Sequence, residues 1–207
     1  MKLPKINLPS LSKEQKTELL KTSLIFAAVC VSAALVLSGL FALLSAKIDR
    51  NATADMLAVM PRIFPADKYE PVEFEFEEAS GVTSIYGAVT DGELLGYCVS
   101  AVSKDYDGEI ELAVAVDKEN KVMAVEILSI SGAAGIGVKV DDEKFLGQFA
   151  GKGGKITAVK GAVRNDSDIT VISGATASSN AACDAVNHAV AAVSQLEAEK
   201  AKEGAAS

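Results

Sequence analysis

The stretch Ser173-Gly174-Ala175-Thr176-Ala177-Ser178-Ser179 gathers hydroxyl side chains around one glycine, between an apolar run and an alanine-rich one. A shorter echo, Ser131-Gly132-Ala133, leads into Ala134 and then Gly135-Ile136-Gly137. The first stretch joins a strand ending near Ile172 to a helix beginning near Ala177. Gly174 permits a sharp turn and a close backbone approach. Thr176 and Ser178 fall where a helix N-cap belongs. The first N–H groups of a helix are unpaired and carry the positive end of the helix dipole, so such a place attracts phosphate. A plain capping threonine after a glycine turn explains the same residues, and the local chemistry leaves both readings open.

Other chemistry is poorly supported. Gly147 to Gly153 imitates a phosphate loop, but has three residues between Gly147 and Gly151 where four are needed, and Gly153 where Ser or Thr is needed. Residues 103–109 carry carboxylates without the spacing of a calcium loop. The single histidine, His188, is expected as an ordinary helix side chain, so no zinc site and no Ser-His-Asp arrangement is legible. Asn51-Ala52-Thr53 is a glycosylation sequon by pattern alone. Cys98 and Cys183 could pair only if the fold brings them together, and Cys30 lies in an apolar run.

The elements that would position the turn form an α+β pattern. Residues 93–103 have strand character. Residues 109–130 read as a hairpin, two apolar arms around the polar 117–120. A short helix is expected over 142–151, with Phe145 and Phe149 on one face. Residues 151–162 read as a turn and a strand, and 167–172 as another strand. From Ala177 to about Lys200, Ala182, Val186, Val190 and Val193 recur at helical spacing, followed by a frayed tail. The expectation is an antiparallel sheet with flanking helices. All five prolines lie at or before Pro71, so nothing interrupts these later elements.

Ahead of this domain, residues 23–46 contain no charge. At 1.5 Å per residue they would span about 36 Å as a helix, more than the ~30 Å hydrocarbon layer. The run is too long for a signal-peptide core, and Leu44 stands where a small residue would be needed for cleavage. A retained transmembrane helix is therefore expected. Lys2, Lys5, Lys13, Lys16 and Lys21 precede it, which places 1–22 in the cytoplasm and 47–207 outside it. A short helix stopped by Pro61 and Pro65 would lead from the membrane into the domain. The chain has 20 basic and 28 acidic residues; five lysines and two glutamates lie in the first 46, leaving 15 and 26 beyond, net −11. Such a surface does not seek nucleic acid.

The Ser-Gly-Ala-Thr sequence resembles the flavinylation motif of the FMN-binding domain family. That family is shared by the G subunits of Rnf ion-translocating electron-transport complexes and the C subunits of sodium-pumping NADH:quinone reductases. The hairpin 107–129, the glycine-rich loop with Lys139 and the helix after it, the anchor and residues 56–65 are similar to the family as well. The single anchor, one such domain and the chain length fit the G subunits best. The resemblance implies FMN joined covalently to Thr176 by a phosphoester bond, made by a separate flavin transferase. Ser173, Gly174, Ala175 and Ser178 would then surround the phosphate, and Gly135, Ile136, Gly137 and Lys139 would form the partner loop near the ring. It also implies an electron-transport subunit held in the cell membrane with other subunits of an Rnf-type complex, without stand-alone catalysis. Two positions depart from the family pattern. Thr170 stands where an acidic residue is usual, six positions before the Thr, with Asp168 the nearest acid. Gly132, Ala133 and Ala134 stand where Glu-Thr-Pro is usual. A second class stays open on this ground: an anchored, cofactor-free binding or assembly module on the same fold.

Overall fold

A computed structural model describes residues 13–73, 81–105, 108–131 and 137–205. The chain divides into two compact units, Met1–Asn51 and Ala52–Ser207. Helix α1 runs from Lys13 to Ile63 and includes Pro61. The short helix expected before Pro61 is thus the last part of a longer one. Pro61 falls in the final turn; the carbonyl it leaves unpaired is that of Leu57, an exposed residue that water can reach. In the first unit the described side chains of 23–39 are exposed, including Leu24, Ile25, Phe26, Leu35, Val36 and Leu37. Among the described residues no helix is long and apolar enough to cross a membrane. The expected span continues to 46, where the side chains lie outside the described residues.

The second unit is built on a five-stranded antiparallel meander in chain order: β1 (Lys68–Pro71), β2 (Val82–Thr90), β3 (Glu93–Asp105), β4 (Gly108–Asp117) and β5 (Val122–Ser131). The expected hairpin is β4–β5. Asn120, at φ 62°, closes its turn, and the Asp117 carboxylate accepts from the Lys121 N–H at 2.8 Å. β2 and β3 turn through Asp91 and Gly92, at φ 54° and 80°, the pair of left-handed residues that a two-residue hairpin needs. β1 and β2 are additions to the elements legible in the sequence.

Period-two alternation divides the sheet's residues between two cores. Tyr97, Val99, Ala101, Ile110, Leu112, Val114 and Val116 join one. The small residues Ala88, Cys98, Ala113 and Ala115 join the other, under Met56, Val59, Met60 and Ile63 of α1 and Phe64. Those four α1 positions have the i, i+3, i+4, i+7 spacing of a buried helix face. Gly96 is needed there: a Cβ would run into the Val116 carbonyl and the Phe64 ring. Cys98 and Cys183 are both free and belong to different cores, so they do not pair.

Helix α2 (Glu143–Leu146), capped by the Asp142 carboxylate, passes into a 3-10 turn, Gly147–Phe149. Phe145 and Phe149 meet edge to face at 5.7 Å. β6 (Thr157–Val159) and β7 (Asp168–Thr170) pair with each other in parallel, apart from the antiparallel sheet. Helix α3 (Thr176–Ala205) buries Ala182, Val186, Val190 and Val193, the expected face, together with Ala185 and Ala189. The tail expected to fray, residues 202–207, is instead helical as far as Ala205; residues 206–207 lie outside the described residues. His188 is half-buried, with Nδ1 3.1 Å from the Val102 carbonyl.

The far end of α3 is fixed to β3. The Tyr97 hydroxyl, on a fully buried residue, donates to the Glu197 carboxylate, and Lys200 Nζ donates to the same hydroxyl at 2.8 Å. Burial, then the adjacent Glu197, pushes the Tyr97 hydroxyl's pKa up. A raised folded-state pKa means this contribution is complete below the ordinary tyrosine pKa of about 10 and is lost as pH rises beyond it. Tyr97→Phe should lower stability by about 0.5–2 kcal/mol at neutral pH and flatten the fall above pH ~10, measured by urea denaturation across pH. An unchanged alkaline limb in the variant would contradict this role.

Candidate functional site

β7 delivers the chain to the hydroxyl-bearing turn. The Val171 N–H donates to the Val159 carbonyl at 3.0 Å, and the Ala175 N–H donates back to the Ile172 carbonyl at 3.0 Å. That bond closes a four-residue turn with Gly174 third, at φ 77°, the left-handed position of a type II turn. Helix α3 then starts at Thr176.

The cap differs from the expected one. The carbonyl of Ala175 accepts the first helical N–H, that of Ser179, at 2.9 Å, so Ala175 is the N-cap and Thr176 the first helical residue. Ala175 has no side chain to cap with, and Ser179 serves from inside the helix. Its Oγ donates to the Ala175 carbonyl at 2.8 Å and accepts from the Ile172 N–H at 3.0 Å. Neither Thr176 nor Ser178 is the cap.

The hydroxyls of the turn thereby divide. Ser178 and Ser179 are fully buried, Thr176 is half-buried, and Ser173 and Gly174 are exposed. Among the described residues the backbone N–H groups of Thr176 and Ala177 have no partner. Lys139, exposed in a 3-10 turn over Gly137–Val140, brings Nζ to 3.4 Å from where a Cβ on Gly174 would stand. Buried Val140 holds that turn against the core. A half-exposed hydroxyl, two unpartnered N–H groups, a helix dipole and an ammonium group therefore converge on one place. That donor set suits a phosphate. Gly135 and Ile136 lie outside the described residues.

The position six residues before Thr176 is occupied structurally. The Thr170 hydroxyl donates to the Gly161 carbonyl at 3.2 Å. The Gln148 amide grips the Thr170 backbone, accepting from its N–H at 2.7 Å and donating to its carbonyl at 3.2 Å. The Asp168 carboxylate accepts from the N–H groups of Arg164 and Asn165 at 3.1 and 3.0 Å and from the Asn165 amide. The Arg164 N–H, with those of Asn165, holds its pKa below the usual carboxylate value. Asp168 is thus committed to the 164–168 loop, and does not replace an acid at 170. The roles of Gln148 and Ser179 carry no local sequence signal, because each acts on backbone that only the fold brings near.

Residues 105–191, from the end of β3 into α3, match the family model of the FMN-binding domain. The chain is 34% identical over 116 residues to the G subunit of the proton-translocating ferredoxin:NAD(+) oxidoreductase complex of Clostridium ljungdahlii, covering 56% of this chain and 63% of that one. It is 27% identical over 188 residues to the G subunit of the ion-translocating oxidoreductase complex of Aliivibrio fischeri MJ11, covering 84% and 90%. The corresponding G subunit in Methanosarcina acetivorans is 29% identical over 143 residues, covering 67% and 74%. The crystal structure of Shewanella oneidensis NqrC aligns with a TM-score of 0.46 and 24% identity over 50% of this chain and 53% of that one. The match to the FMN-binding domain model is confined to residues 105–191. The chain's likeness to the G subunits, expected from the motifs, is borne out.

The cap assignment separates two neighbouring substitutions. Ser179→Ala strands the Ile172 N–H and should cost about 1–3 kcal/mol. Thr176→Ala, which removes no cap, should stay within about 0.5 kcal/mol. Urea denaturation of the two variants checks this, and equal losses would restore Thr176 as the cap.

Proposed function

We propose that the chain is a membrane-anchored flavoprotein subunit of an ion-translocating electron-transport complex, with FMN attached to Thr176 through a phosphoester bond. The observation that carries the reading is the partition of hydroxyls. Thr176 is reachable at the helix start, while Ser178 and Ser179 are sealed inside. The N–H groups of Thr176 and Ala177 would donate to the phosphate, with Ser173 and Gly174 bounding it. Lys139 would balance its charge from across the turn. Gly135, Ile136 and Gly137 would lie against the ring, with glycine backbone permitting close approach. When bound, FMN supplies the electron-carrying chemistry. The protein's part is to fix it and to keep Ser178 and Ser179 out of reach.

Covalent attachment suits a domain outside the cytoplasm, where a lost cofactor could not readily be replaced. A flavin transferase would load it, and other subunits of an Rnf-type complex would be its partners. The uncharged run at 23–46, with exposed apolar side chains over its described part, supports the anchor.

Coexpression with a flavin transferase and denaturing-gel fluorescence test the attachment. The parent should fluoresce, Thr176→Ala should be dark yet folded, and Thr176→Ser should label partially. A dark parent, correctly exported, would favour the cofactor-free module. In the labelled protein, bulk added by Gly135→Val should leave the bond and shift the flavin's visible spectrum; an unchanged spectrum would place the ring elsewhere. For the anchor, protease added to intact spheroplasts should digest residues 47–207. Protection until lysis would refute the orientation.

A further inference from the structure

The second unit is acidic, yet its cations are unevenly placed. From Lys144 to Arg164 the chain carries five basic residues and no carboxylate. On or beside the sheet, Arg62 is matched with Glu126, Lys68 with Glu70, Lys104 with Glu109 and Lys118 with Glu93, while Lys121 forms no ion pair among the described residues. Lys155, Lys160 and Arg164 are exposed, and among the described residues they form no ion pair. Val163, 48% exposed, sits between the last two.

Contacts with β7 place the start of this loop, Lys160 and Gly161, beside the strand that enters the Ser173–Thr176 turn, while Arg164 folds back on Asp168 at the other end of that strand. In the parallel register Val159 is opposite Thr170, so Lys160 follows alongside the segment that enters the turn. The bond from Thr170 Oγ1 to the Gly161 carbonyl holds the loop's start there. Lys152 Nζ donates to the Asp166 carbonyl at 2.5 Å and holds its far side. Nearby carboxylates, exposed Asp166 included, form no ion pair with these cations among the described residues. Asp168 is consumed by N–H groups of the loop, and Asp184 shares a groove wall with Lys155 without an ion pair.

We propose that the face formed by Lys155, Lys160, Val163 and Arg164 is the docking surface for a protein with an acidic surface. Charge complementarity carries the argument. The rest of a domain of net −11 repels such a partner, so the unpaired cations both attract it and orient it. Exposed Val163, next to Arg164 in the chain, offers an apolar contact beside this charge. Only the consequence rests on the function proposed above: a partner docked here would lie beside the residue that carries the flavin. The binding itself does not require the flavin.

The test uses the full chain in phosphatidylcholine nanodiscs, both flavin-loaded and as flavin-free Thr176→Ala. The probes are an acidic plastocyanin and a basic cytochrome c, with binding read by interferometry. The parent should bind plastocyanin, with affinity falling about tenfold as ionic strength rises from roughly 20 to 300 mM. Lys155→Gln/Lys160→Gln/Arg164→Gln should weaken plastocyanin binding about tenfold at low salt, without weakening cytochrome c binding. Plastocyanin should slow hydrogen exchange of amides in 155–164. No plastocyanin binding by the parent, or undiminished binding by the folded triple variant, would overturn the proposal. So would protection of the same amides in phosphatidylglycerol nanodiscs without any protein probe, which would assign the face to lipid headgroups. Intact docking in a protein that never acquires flavin would sink the flavin reading alone.

Discussion

The site depends on one junction, the passage from β7 into α3, and on how Ser179 closes it. A strand that turns sharply into a helix leaves N–H and carbonyl groups on both sides of the bend needing partners. One Oγ meets two of them, bonding the Ile172 N–H and the Ala175 carbonyl. Because the cap function is supplied from inside the helix, Thr176 is released from it. Its hydroxyl is left half-exposed, beside N–H groups without a partner among the described residues. The remaining architecture keeps that arrangement in place. Alanines on α3 let the helix lie close on the sheet, and the Tyr97–Glu197–Lys200 bonds fix its far end.

Legibility in the sequence followed how local each cause was. The β4–β5 hairpin was readable because Ile110, Leu112, Val114 and Val116 alternate on one face. β2 was not, since Ile85 alone among its residues is buried in the main core and Val82 only packs against it, although Asp91-Gly92 carried a usable turn signal. The face of α3 was readable from spacing alone. The cap was misread because N-cap preferences describe the first turn in isolation, whereas Ser179 acts from within the helix on Ile172. Lys139 was placed in the site by resemblance, and its approach to Gly174 joins residues far apart in sequence through the buried Val140. Gln148 could not be foreseen: an amide that grips a distant backbone leaves no pattern in its neighbours.

Electrostatics link the two proposed surfaces. An anionic domain repels both a phosphate and an acidic partner unless cations are gathered locally. Lys139 stands on one side of the turn and Lys160 on the approach from the other. The segment from Lys144 to Arg164 concentrates positive charge where the sequence elsewhere supplies carboxylates. Asp168 is bonded to loop N–H groups and forms no ion pair with these cations among the described residues.

The central claim is that one hydroxyl of this turn holds the cofactor. Peptide mass spectrometry of the labelled protein tests it most directly, since Ser173 is also exposed and lies three residues away. The account predicts the FMN mass on Thr176 alone, with Ser173 unmodified and the buried Ser178 and Ser179 untouched. Attachment at Ser173, or at either buried serine, would contradict it.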